Sequence, residues 1–320
     1  MYLLIRRHTE NENRKIMNTD QLKPGKNEVK FDSHGYQLSA HLYLPEGFGQ
    51  DDSYPAVVVG GSLTSVKEQM AGTYAVRLAQ QGIAALAFDF RNYGQSEGEQ
   101  RQFEDPQLKQ EDLESAVTFL LKQPFVTEVG GLGVCTAGGN MAYLAAADKR
   151  LKAFATVAAW LPNKETLPLL YGSQENLVSL KNKGAEARAQ YEAQGENALI
   201  PAYSDTDTTA SHVGPMEYYM DTQRGGGVKE WNNSFSVMSW EPWLAFDPMS
   251  KAANIETPAM IIHSDGSALP DNARSFYDQL QGQKELVWLE GYHFDFYDQE
   301  KQVNEAATQA GDFFKRTLTV

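Results

Sequence analysis

The 320-residue chain is 42% hydrophobic and 22% charged, with a formal net charge of −14. That is globular composition with enough length to bury a large core, as one α/β domain carrying an insertion or as two domains. The acidic balance argues against nucleic acid and anionic lipid as partners; no apolar run approaches the ~20 residues of a membrane helix, and one cysteine excludes an internal disulfide, so a cytoplasmic enzyme is the expectation.

The first 30 residues hold seven Lys/Arg against four Asp/Glu. Residues 1–25 read as a loose polar tail. Met17 is an alternative start, which leaves open whether residues 1–16 belong to the native protein. Tyr2–Ile5 is too short for a signal-peptide core. Asn27–Phe31 and Gln37–Leu44 read as strands around the turn Asp32–Gly35. The apolar run Ala56–Val59 reads as an inner strand of a parallel sheet, followed by Gly60-Gly61-Ser62-Leu63-Thr64. Ser65-Val66-Lys67-Glu68 matches a capping box for a helix with Met70, Tyr74 and Leu78 on one stripe, stopped by Gly82. Ile83–Phe90 reads as a strand. Leu113, Ala116, Val117, Leu120 and Leu121 mark a helix ending before Pro124.

Next comes a strand end, Val129–Leu132, then Gly133-Val134-Cys135-Thr136-Ala137, then a helix from Gly138. Strand, tight turn and helix with a nucleophile at the tip is the arrangement of a nucleophile elbow, and the small residues around Cys135 are what such a turn needs. The alternative is that a lone cysteine is a buried small hydrophobe. Strand Ala153–Ala159 follows. Residues 161–245 break the alternation with a helix near Leu167–Tyr171, a polar helix Glu175–Gln194, a flexible break at Gly225-Gly226-Gly227 and many aromatics. They read as a cap inserted into a core of residues 26–160 and 246–320. The competing reading is a surface for homo-oligomerisation. Strand Ala259–His263, a helix near Asp271–Leu280, strand Glu285–Leu289 and a closing helix complete a mostly parallel central sheet with helices on both faces. Functional residues then lie beyond the carboxyl ends of the strands.

A thiol of ordinary pKa needs a base or a positive potential. Of six histidines, His8 falls in the tail, His34 in a turn, His41 in an early strand and His212 in the insertion. His263 and His293 come from strand ends on the catalytic edge, and His293 has the better setting, in a loop behind Gly291. Asp265, just past strand Ala259–His263, is the orienting carboxylate, with Asp271 and Asp295 as alternatives. The order nucleophile, acid, histidine matches α/β-hydrolases. No His, Cys or carboxylate pair shows metal-ligand spacing, and no cofactor is implied.

Four segments in order carry a resemblance to the α/β-hydrolase superfamily over about residues 27–318. Asp89-Phe90-Arg91-Asn92-Tyr93-Gly94-Gln95-Ser96 resembles the D-x-R-G-x-G-x-S segment, with Asn92 for glycine. Gly60-Gly61-Ser62 resembles the His-Gly-x oxyanion loop, with Gly60 for histidine. The elbow has Cys135 for serine and Ala137 for the last glycine. Tyr292-His293-Phe294-Asp295-Phe296-Tyr297-Asp298 resembles a bacterial, dienelactone-hydrolase-like subgroup. The resemblance implies an oxyanion hole from the Thr136 N–H plus one from Ser62 or Leu63.

A cysteine nucleophile favours substrates with good leaving groups, so the expected reaction is hydrolysis of an activated ester, lactone or thioester through an acyl-cysteine, with peptidase activity disfavoured. The partner is a small-molecule acyl substrate, with Trp160, Tyr219 and Trp240 as expected contacts. An acyltransferase using the same residues, or a non-catalytic ligand-binding protein of this fold, are the competing readings. Lys67 and Arg91, near the expected mouth, read as solvated or ion-pair residues.

Overall fold

The computed structural model describes residues 22–318. Most of the expected tail, with His8 and Met17, lies outside the described residues. Gly25 already belongs to the first strand, so the tail's expected end is one residue late.

One eight-stranded sheet organises the chain. Its strands are β1 (Gly25–Ser33), β2 (Tyr36–Leu44), β3 (Tyr54–Gly60), β4 (Ala84–Phe88), β5 (Val126–Val134), β6 (Leu151–Val157), β7 (Ala259–His263) and β8 (Lys284–Trp288), in the spatial order β1-β2-β4-β3-β5-β6-β7-β8. β1 and β2 form an antiparallel hairpin at one edge, and from β4 onward all neighbours are parallel. Alternation along the strands divides two apolar layers. Val57 and Val59 face the helices α1 (Met70–Gln80) and α9 (Glu300–Thr317). Ala56 and Val58 face α2 (Pro106–Leu121), α3 (Thr136–Ala147) and α8 (Pro270–Gln279). Val57, Val58 and Val59 are wholly buried, each worth about 1.5–3 kcal/mol relative to an exposed side chain.

The capping box before α1 does not form. The helix begins at Met70, and Ser65 Oγ donates instead to the Ser62 carbonyl. The reason is Lys67, which is 1% exposed, with its ammonium on Asp89 and Glu68 and its N–H on Asp89 Oδ1. Segment 61–69 is thereby folded onto the end of β4. Arg91 is likewise tied to buried Asp112 and to Glu111, so both cations are ion-pair residues. Asn92 has φ 75°, the left-handed region its glycine counterpart favours and Asn tolerates.

Between β6 and β7 the chain forms α4 (Leu167–Leu170), α5 (Gln174–Gln194), short paired strands, α6 (Glu217–Met220) and α7 (Trp240–Trp243). Tyr203, Tyr218, Tyr219, Phe235, Trp240 and Trp243 of this segment are buried within the chain, so they do not present the exposed aromatic surface of the oligomerisation reading. Gly225–Gly227 is not a flexible break. It is a 3-10 turn whose Gly225 lies so close to the Tyr218 ring that a Cβ would overlap it, and whose carbonyl accepts from Gln69.

Candidate active site

Cys135 ends β5 and opens α3 with φ 54° and ψ −117°, a sparsely populated conformation for a residue with a side chain. Backbone bonds enforce it. Its N–H donates to the Val157 carbonyl, its own carbonyl accepts from Gly138 and Trp160, and Ala137 N–H donates to Gly61. A Cβ on Gly133 would lie 2.3 Å from the Ala137 carbonyl oxygen, so only glycine permits the chain to double back.

The thiol faces a cavity of about 330 Å³. Thr136 Oγ1 stands 3.7 Å from the sulfur, and Tyr297 lines the same cavity. Burial raises the thiol pKa, while the neighbouring Tyr297 and Thr136 act in the opposite direction. Of the expected oxyanion residues, Thr136 and Leu63 line the cavity. The Leu63 N–H is held by Thr136 Oγ1 at 3.1 Å. Ser62 is not among the lining residues; its hydroxyl bonds the Tyr219 hydroxyl.

Trp160 and Tyr219 line the cavity. Trp240 does not: it packs behind the wall against Phe235 and Tyr171, and Trp243, one helical turn on, takes its place. Tyr203, His212 and Met216 complete the same wall. Tyr203 stacks on Tyr219 at 3.7 Å and donates to the Leu63 carbonyl at 2.9 Å. Burial lowers His212 to about 4, so this wall is uncharged at neutral pH.

His293 also lines the cavity, but among the described residues no carboxylate is hydrogen-bonded to its ring. Asp265, whose side chain is 76% exposed, pairs with Arg274 at 2.6 Å. The alternatives fare no better: Asp271 is 98% exposed beside Arg274, and Asp295 accepts from the Tyr292 N–H. The reason is the conformation of the loop after β7. It is joined to the His293 loop by a bridge between Gly266 and Tyr292, and it directs Ser267 and the Ala268 backbone inward and Asp265 outward. The Ala268 N–H donates to His293 Nδ1 at 3.2 Å, and His293 Nε2 meets the Tyr297 hydroxyl at 3.1 Å. The Ala268 carbonyl accepts from His263 Nε2 at 3.1 Å, so one backbone residue holds both histidines. Burial, then the charge of His263, lowers His293 to about 3.

Sequence reasoning missed Tyr297, Tyr203, His212, Trp243, Ser267 and Ala268. Tyr297 carried a signal, since it lies four residues after His293 and a helical turn brings such pairs together. Among the described residues, no group of three His, Cys, Asp or Glu side chains is placed to hold a metal ion.

A family model described as X-Pro dipeptidyl-peptidase (S15 family) matches residues 34–295. The chain belongs to this family. An uncharacterized protein of Pseudomonas aeruginosa is 31% identical over 283 residues, spanning 83% of this S15-family chain and 74% of its relative. A crystal structure of that protein aligns at TM-score 0.78, covering 91% of this chain and 93% of the other at 26% identity. A thiohydrolase of Aspergillus aculeatus is 26% identical over 265 residues, 80% of this chain and 82% of the relative. A polyketide transferase of a Penicillium species is 26% identical over 273 residues, 82% of this chain and 88% of the relative. The crystal structure of an α/β-hydrolase from a Penicillium species aligns at TM-score 0.78 with 23% identity, covering 92% of this chain and 99% of the other. The chain has the α/β-hydrolase fold and is a hydrolase-family protein.

Proposed function

We propose that this S15-family chain transfers acyl groups from a thioester, lactone or activated ester through an acyl-cysteine on Cys135. The observation that carries the reading is Cys135 itself, held at positive φ on the strand-to-helix turn with its sulfur in the cavity. Backbone strain of this kind collects at functional sites. Attack on a carbonyl generates an oxyanion beside the Thr136 N–H, at the positive end of α3, and beside the Leu63 N–H, which the Thr136 hydroxyl occupies until then. A thiolate is expelled more readily than an amine from the tetrahedral intermediate, so an amide would revert while a thioester goes forward. The names thiohydrolase and polyketide transferase among the relatives agree with acyl-thioester chemistry.

Residues 161–245 act as a cap over a core of residues 26–160 and 246–320, with Trp160, Tyr219 and Trp243 holding an apolar, uncharged acyl group. The cysteine nucleophile and the likeness to dienelactone hydrolases belong to this proposal. Whether water or a second substrate takes the acyl group turns on water exclusion, and the aromatic lining favours transfer as the second reading. The test is intact-mass analysis after brief exposure to an aryl thioester. An acyl adduct is expected on the wild type and none on Cys135→Ala. Turnover retained by Cys135→Ala overturns the reading. Adding an alcohol, amine or thiol then separates transfer from hydrolysis by the product formed.

A further inference from the structure

Three consecutive residues of the loop after β3 are each held by an aromatic side chain from the segment between β6 and β7. The Ser62 hydroxyl meets the Tyr219 hydroxyl, the Leu63 carbonyl accepts from the Tyr203 hydroxyl at 2.9 Å, and Thr64 Oγ1 accepts from Trp231 Nε1 at 3.3 Å. Ser62 donates to Met70 Sδ at 3.6 Å, so its oxygen accepts from Tyr219. Burial raises both phenols well above their ordinary value and keeps them protonated, as donors, at neutral pH.

This loop needs to be held. Thr64 stands at φ 60°, an outlier for a β-branched residue, and such a conformation persists only where the surrounding bonds over-determine it. The residue before it carries the Leu63 N–H, which points at Thr136 Oγ1 at 3.1 Å. The peptide is planar and trans, so this N–H points away from the Ser62 carbonyl, which Ser65 holds through its own N–H and hydroxyl. The Ser62 side chain and the Leu63 carbonyl flank the N–H along the chain, and these are the two groups that the tyrosines hold. The tyrosines are themselves fixed. Their rings stack 3.7 Å apart and within 4° of parallel, and Asn233 bonds both the N–H and the carbonyl of Tyr203 at 2.8 Å. Both tyrosines line the cavity, so one pair of side chains borders the acyl site and reaches the loop.

We infer that Tyr203 and Tyr219 are positioning residues for the oxyanion donor: their hydroxyls hold residues 62–64 so that the Leu63 N–H stands ready beside Cys135, and an acyl group packed on their rings is coupled to that donor. The inference rests on the acyl-cysteine reading for its use in catalysis, while the hydrogen bonds do not. As the sulfur–carbon bond forms, the carbonyl π electrons move onto the oxygen, and the Leu63 N–H passes from the Thr136 hydroxyl to that oxygen. The pair returns to carbon as the C–S or C–O bond to the leaving group breaks. The loop must keep its place through both steps. Removing a tyrosine hydroxyl frees the loop but leaves the ring, so binding of the acyl group changes little.

Two reactions of Cys135 separate positioning from a general disturbance. Alkylation by iodoacetamide creates no oxyanion, whereas acylation by an aryl thioester does. Both are followed by intact mass on the full chain for the wild type, Tyr203→Phe and Tyr219→Phe. Tyr203→Phe is expected to lower the maximal acylation rate about tenfold, with the half-saturating thioester concentration and the alkylation rate within about twofold of the wild type. Tyr219→Phe should lose about threefold, because its bond is to a side chain and not to the loop backbone. It carries the test if Tyr203→Phe does not fold. Acylation at the wild-type rate in both variants overturns the inference. So does alkylation that falls as far as acylation, which marks a structural role. Hydrogen exchange of residues 61–66, read by mass spectrometry, needs no substrate. It should quicken about fivefold in Tyr203→Phe, and unchanged exchange overturns the inference even where the wild type forms no adduct. Turnover retained in Cys135→Ala sinks the acyl-cysteine reading instead and leaves the exchange result standing.

Discussion

The two sides of the cavity are built differently. On the nucleophile side, backbone bonds and missing side chains hold the sulfur: Cys135 is fixed through Val157, Gly138 and Trp160, and Gly133 leaves room for the Ala137 carbonyl. On the imidazole side, two loops are joined by one bridge at Gly266 and Tyr292, and polar bonds through Ala268 and Tyr297 place the ring. The first side resists change because its geometry is steric. The second is electrostatic, so it responds to pH and to which donor or acceptor the loop after β7 turns inward.

The largest expected effect breaks the steric side. Gly133→Ala puts a methyl group into the space of the Ala137 carbonyl, where backbone on both sides must shift. Overpacking of this kind costs about 3 kcal/mol. Urea unfolding should show that loss, and acyl-adduct formation by any folded fraction should slow, because the elbow opens. A variant as stable and as reactive as the wild type would show that the turn is not under steric control.

The second effect, of middle size, sharpens the electrostatic side. His263 is wholly buried and lowered to about 4, chiefly by burial, with no hydrogen-bond partner at Nδ1 among the described residues. Above its unfolded value of about 6.5 it is neutral in both states and stability does not depend on its titration. As pH falls below that value the unfolded chain takes up a proton that the folded protein refuses, so stability drops until pH reaches the folded value. The loss is about 2 kcal/mol between pH 7 and pH 5 for this one group. His212 and His293 add losses of the same sign. Urea unfolding at both pH values should give His263→Leu a smaller pH 7 to pH 5 difference by that amount, whatever its absolute stability. An undiminished difference would mean that the ring is already charged in the folded protein.

The same division explains what the sequence revealed. The elbow, the strand positions and the helix stripes were legible because glycine spacing and apolar periodicity are local patterns, and Val57 and Val59 or Leu113 and Val117 sort to faces by counting. The imidazole side was not legible, because an aspartate in the expected place has the right chemistry whichever way its loop turns. The conformation of that loop, bridged to the next at Gly266 and Tyr292, is what turns Asp265 to Arg274 and solvent. Trp240 and Trp243 differ for a similar reason: both are buried on one short helix, and which of them reaches the cavity depends on how that helix packs on the core.

The smallest expected effect is therefore the most discriminating. Asp265→Asn removes a carboxylate that a triad would need and that this loop directs to Arg274. Loss of the orienting charge in a serine-type triad lowers kcat about 10⁴-fold. Loss of an exposed ion pair changes little, so turnover of an aryl thioester by Asp265→Asn should stay within about twofold of the wild type. A collapse towards the larger figure would mean that the loop rearranges on substrate binding, withdraws the Ala268 N–H from Nδ1 and brings a carboxylate in its place. His293 would then carry its proton on Nδ1 and present Nε2 as a base, and the imidazole side would be as conventional as the elbow opposite it.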